Sequence, residues 1–138
     1  MHRIALGFAF GALTSASVFA QDAVTLPPTA KLLTKGEIIA AYDGKPHTWS
    51  HPNGDKGTGT TTFDAKNMTI GGTYDIGGNK GEWEGKVTFK KAQYCFRTKR
   101  TAMPKLGPEQ CNQVYLDGTT AYEVDPKTKA VKSVNKPI

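Results

Sequence analysis

The clearest pattern in the chain runs through Glu82-Trp83-Glu84-Gly85-Lys86-Val87-Thr88-Phe89, where odd positions are apolar or glycine and even positions are charged or polar. Period two places alternate side chains on opposite faces, so this stretch predicts a half-buried antiparallel strand. Ile70-Gly71-Gly72-Thr73-Tyr74-Asp75-Ile76 repeats the pattern on even positions, and Gly77-Gly78-Asn79-Lys80-Gly81 supplies a loose turn between the two, giving a hairpin. Shorter runs predict strands at Thr60–Phe63, Gln93–Thr98, Gln113–Leu116 and Thr119–Val124, with Asp117-Gly118 as a two-residue hairpin signal. After the turn Asp125-Pro126-Lys127-Thr128, Ala130–Val134 reads as an edge strand.

Period 3.6 surfaces only once. Thr34-Lys35-Gly36-Glu37 is a capping box, in which Thr34 and Glu37 each bond a backbone N–H at a helix start, and Leu33 with Ile38 forms the hydrophobic staple. Ile38, Ile39 and Tyr42 give the helix a narrow apolar face; Gly44 stands where a left-handed cap residue is wanted, and Pro46 prevents continuation. The fold class that follows is mainly β: one short N-terminal helix packed on a curved antiparallel meander or small barrel of six to eight strands. Glycines 71, 72, 81 and 85 fit strand bends in a tightly curved sheet.

The first twenty residues belong to a different regime. His2 and Arg3 precede an apolar run from Ile4 to Phe10 that continues through small residues to Val18-Phe19-Ala20, the pattern of a secretory signal with cleavage after Ala20. Removing 20 of the 138 residues leaves 118, the size of one domain, and predicts a signal peptide at 1–20, a flexible tether at 21–32 around Pro27-Pro28, and a single β-rich domain at 33–138. The expected location is the periplasm or the outside of the cell. The exported part carries 17 Lys and Arg against 12 Asp and Glu, a net charge of +5. Export argues against nucleic acid as the partner; a basic surface in an envelope compartment suits an anionic envelope component or an acidic protein, with peripheral membrane contact as an option.

Two cysteines, Cys95 and Cys111, both lie in the exported part, and an even count in an oxidising compartment argues for a disulfide. Between them, Arg97, Lys99, Arg100 and Lys105 concentrate positive charge near Met103 and Leu106. A staple that rigidifies a basic loop lowers the ordering cost of binding. These four cations, with Trp83 and Tyr94 as neighbouring aromatics, are the candidate ligand-binding residues. His47, His51 and Asp55 are weak candidates for a metal. On an extended strand the two histidine α-carbons stand ~13 Å apart, at ~3.3 Å per residue, too wide for one ion without a bend; the plainer reading is two surface histidines beside a core tryptophan. Glu82 and Glu84 share a strand face, and alternation with Lys80, Lys86 and Lys90 explains them as a solvated surface. No nucleophile elbow or triad can be assembled, no catalytic residue is assigned, and no cofactor is called for.

The pattern Gly57-x-Gly59-x-x-x-Phe63, Gly81-x-Trp83, Cys95-Phe96, Cys111 and Asp117-Gly118-x-x-Tyr122 resembles the DUF995 family, small exported alphaproteobacterial proteins built on a domain of unknown function. The resemblance covers Leu33 to Val124 and implies an exported single domain with two paired cysteines. The expectation is a noncatalytic exported binding module that recognises an anionic envelope component or protein partner. The alternatives are a periplasmic inhibitor of a hydrolase or toxin, and a small metal-dependent protein or enzyme centred on His47 and His51.

Overall fold

The computed structural model describes residues 23–138, so the signal-peptide reading lies outside the described residues. Nine strands and one helix follow in chain order: β1 (Lys31–Leu32), α1 (Lys35–Tyr42), β2 (His47–Ser50), β3 (Thr58–Asp64), β4 (Thr69–Ile76), β5 (Asn79–Lys90), β6 (Gln93–Arg100), β7 (Gln110–Asp117), β8 (Thr120–Val124) and β9 (Val131–Pro137). Each strand from β2 to β9 pairs antiparallel with the next in sequence, except that β8–β9 carries a register shift at Glu123/Val124. β9 then pairs back onto β2, with Trp49 opposite Asn135, and closes an eight-stranded up-and-down barrel. The stretch read as an edge strand is therefore the closing strand. Its inward residues Val131, Ser133 and Asn135 are buried, and closure removes the unpaired rim that an edge would present.

The hairpins turn more tightly than the glycine content led one to expect. Asn79, Lys80 and Gly81 are already in β5, and only Gly77 and Gly78, at φ +59° and +84°, make the β4–β5 turn. Two consecutive positive φ values match the right-handed twist of the flanking strands. In the β7–β8 hairpin Asp117 pairs with Thr120, so the two turn residues are Gly118 and Thr119, one position later than the Asp-Gly signal placed them. Of the stretch read as a tether, Lys31 and Leu32 pair with Leu116 and Tyr115 of β7, and Thr29 donates to the Asp117 carboxylate.

The helix forms as its capping box dictates. Thr34 accepts from the Glu37 N–H while the Glu37 carboxylate accepts from the Thr34 N–H. That bond, together with Lys31, holds the Glu37 carboxyl down to about 2. Gly44 takes φ +65° and donates to the Phe63 carbonyl, tying the helix end to β3. Leu33, Ile38 and Tyr42 then join Phe63, Ile70, Val87, Tyr94, Val114 and Ala121 in one core cluster inside the helix-bearing end of the barrel. On the outward side Cys95 and Cys111, direct register partners on β6 and β7, stand with their sulfurs at disulfide distance.

Candidate functional site

Eight strands enclose just enough space for side chains to fill or for one small ligand. Here the apolar core occupies the end near α1, and a cavity of about 140 Å³ is left beyond it. Its deep wall is buried: Tyr42 from α1, Trp49 from β2, Thr61 from β3, Ile70 and Tyr74 from β4, Tyr94 from β6, Glu123 from β8, and Ser133 and Asn135 from β9. Half-exposed His51, Phe96, Thr98 and Arg100, with exposed Gln110, form the mouth. The mouth lies where β6 outruns β7: the two pair only over Tyr94–Phe96, and the Thr98 carbonyl accepts instead from Gly107 of the following loop.

Two tryptophans line this space and are held by an opening in the sheet itself. Between β3 and β4 the register pairs Gly59 with Tyr74 and Thr62 with Gly71, and the ladder is interrupted in between. There the N–H groups of Thr60 and Thr73 donate to each other's side-chain hydroxyls at 3.2 and 3.1 Å. Their carbonyl oxygens accept from both indoles: Trp49 Nε1 lies 3.0 Å from Thr60 O and 3.2 Å from Thr73 O, and Trp83 Nε1 lies 3.2 and 3.0 Å from the same two atoms. The arrangement has a local two-fold character, since Trp49 pairs with Gly59 and Trp83 with Gly72. Both glycines are required by contact. A Cβ on Gly59 would stand 2.0 Å from Thr73 O, and one on Gly72 would stand 2.0 Å from Thr60 O.

Next to Trp49, whose register partner is Asn135, lies the polar floor. The Glu123 carboxylate accepts from Asn112 Nδ2 at 3.2 Å and from Asn135 Nδ2 at 3.4 Å. Burial strips water from this carboxyl and pushes its pKa up to about 7, the two amide donors offsetting only part of the cost. Burial, reinforced by the nearby Glu123 charge, also raises the Tyr42 and Tyr94 phenols well above their ordinary value, so both stay protonated. Tyr42 Oη and Thr61 Oγ1, in residues each 5 % exposed, have no hydrogen-bond partner. Both oxygens are screened even from water, so they sit unpaired within the packed wall rather than open to the cavity.

At the mouth His51 Nδ1 lies 2.8 Å from Asp55 Oδ1, which also accepts from the Gly57 N–H at 2.9 Å. Partial burial opposes ionisation of Asp55, but those two bonds and the charge of Arg100 hold its carboxyl below the ordinary value. The Arg100 guanidinium itself lies over the Tyr74 ring, 5.3 Å from its centroid.

No family model, curated protein or solved structure matches the chain. The residues singled out by sequence fall into three groups. Arg97, Lys99 and Arg100 belong to β6 rather than to a free loop, and alternation splits them between faces. Arg100 turns inward to the cavity; Lys99 pairs with Glu84 at 2.6 Å on the outer face; Arg97 donates to the Gly107 carbonyl. Lys105 remains exposed in the loop. Trp83 and Tyr94 face inward and line the cavity.

The histidines differ from the expectation of two surface side chains. His47 alternates inward on β2, is buried, bonds the Lys45 carbonyl through Nδ1 and stacks on Tyr42. Only His51 reaches the mouth, and among the described residues no three His, Cys, Asp or Glu side chains gather to hold a metal ion.

Glu123, Tyr42, Thr61, Asn112 and Asn135 escaped the sequence reading. In Ala121-Tyr122-Glu123-Val124 the bulkier apolar residues are at even positions, which points Glu123 outward. Glu123 instead keeps the phase of buried Ala121, the two facing Ser133 and Asn135, and the register shift after it brings Val124 inward as well.

Proposed function

We propose that this chain is a noncatalytic exported binding protein whose ligand is a small organic molecule held inside the barrel. The observation that carries the reading is the cavity of about 140 Å³ inside the barrel, lined by the buried Glu123 and by Tyr42, Trp49, Tyr74, Trp83 and Tyr94. The aromatic walls supply apolar area on rigid side chains, the usual composition of a small-molecule site. An engineered cavity of ~150 Å³ accepts benzene, which sets the scale of occupant that 140 Å³ admits. Membership of the DUF995 family and a periplasmic or secreted location belong to the same proposal.

A second reading has its own support. Met103 and Leu106 are 59 % and 44 % exposed beside Lys105 on the loop between β6 and β7, an apolar and basic tip suited to an acidic protein such as a hydrolase or toxin. Native mass spectrometry of protein taken directly from the exported fraction separates the two. A small-molecule adduct that disappears in Ser133→Leu, which fills the cavity floor, supports the barrel ligand. A stoichiometric protein complex, with no small-molecule adduct, supports the loop reading and overturns the first.

A further inference from the structure

Resting on an interior ligand, the structure points further: we propose that the occupant is a small organic cation, an ammonium or similarly protonated group on a carbon body about the size of a benzene ring. Three observations converge on the charge. None of the ion pairs among the described residues involves Glu123, whose contacts are two neutral asparagine amides. A carboxylate has about four acceptor sites, the two amides use two of them, and an ammonium brings three donors. Four aromatic side chains, Trp49, Tyr74, Trp83 and Tyr94, also line the space, and aromatic rings attract a cation. The protein already uses this wall in that way, since Arg100 rests on Tyr74.

An anionic ligand meets the opposite situation. Deep in the cavity it faces the Glu123 carboxyl, and the Arg100 guanidinium that lines the space is confined to the mouth, where its charge acts on Asp55. Binding of a cation also depends on Glu123 being ionised. The other groups around it do not replace it as a negative charge: Tyr42 from α1 and Tyr94 from β6 are held neutral, and Asn112, Ser133 and Asn135 do not titrate, while His47 from β2 bonds the Lys45 carbonyl and stacks on the Tyr42 ring.

The test uses one ring in three charge states: benzylamine, benzyl alcohol and benzoate, titrated into the mature protein by calorimetry at pH 8. Benzylamine should bind at least about tenfold more tightly than the alcohol, and benzoate most weakly. With Glu123→Gln the preference for amine over alcohol should shrink to about twofold or less. A second readout needs no variant. Between pH 8 and pH 5.5 the amine stays protonated while Glu123 takes up its proton near 7, so amine affinity should fall by more than about tenfold and alcohol affinity should hold. Equal affinity for alcohol and amine would overturn the cation and leave the interior ligand standing, and so would tightest binding of benzoate. If none of the three binds or changes the Trp49 and Trp83 fluorescence, the interior site falls with it.

Discussion

Glu123→Gln should stabilise the empty barrel above neutral pH and leave it unchanged near pH 4. The carboxyl is held at about 7 in the folded chain against 4.5 as its ordinary value, because burial removes its water. The unfolded chain therefore releases this proton at lower pH than the folded one. Between those values the folded state holds more protons, so stability falls as pH rises through the window and levels off above it. At ~1.4 kcal/mol for each pH unit between the two values, the full penalty is on the order of 3 kcal/mol. Glutamine cannot ionise and escapes it. Protonated glutamic acid and glutamine have the same mismatch with one of the two asparagine donors, so the two chains should coincide at pH 4.

Urea unfolding of both chains at several pH values between 4 and 8 measures the effect. For a small domain the slope is ~1–3 kcal/mol per molar urea, so the midpoints should separate by roughly 1–3 M at pH 8. Carboxylates with lowered values, such as Glu37, Asp55 and Asp125, weaken the fold toward acid in both chains alike, and the difference cancels them. A midpoint gap that stays constant from pH 4 to pH 8 would refute the reasoning, since it would mean that the barrel interior does not disfavour the charged carboxylate.

Other outcomes follow from single contacts. Gly72→Ala should cost about 3 kcal/mol or more, because its Cβ would lie 2.0 Å from Thr60 O and displace a carbonyl that both indoles use; a melting temperature equal to wild type would contradict that packing. Replacing Cys95 and Cys111 together by serine should cost about 3 kcal/mol for a closed loop of 15 residues, and thiol titration of exported, denatured protein should find no free thiol. Thr34→Ala should cost about 1 kcal/mol by removing the helix cap, visible as a lower midpoint with an unchanged slope. Exported protein should begin at Gln21 by mass spectrometry; an intact Met1 in washed membranes would argue for a retained anchor.

The strands and the helix were legible because their signals are local. Alternation in Glu82–Phe89 and the Thr34–Glu37 capping box each specify a backbone geometry within a few residues. Closure was not legible, because pairing of Trp49 with Asn135 joins residues far apart in sequence, and Val131–Pro137 looks the same whether one or both sides are paired. The site was hidden for a related reason. Trp83 and Tyr94 were noticed as aromatics near a basic stretch, but which face of β6 turned inward decided that Arg100 would belong to the cavity and Lys99 to the surface. A glutamate between two bulkier apolar neighbours gives no sign of being inside, because the residue that shares its inward phase is the small Ala121.

Small-molecule cavities are usually largely pre-formed. Here Trp49 and Trp83 are latched to the carbonyls of Thr60 and Thr73, and those carbonyls have no ladder partner to return to. An oversized guest that pushes either indole aside strips acceptors in the main chain and loosens β3 from β4. The cavity therefore behaves as a fixed gauge: molecules are sorted by size at the cost of sheet cohesion, and tolerance for larger homologues of a ligand should end abruptly rather than fade.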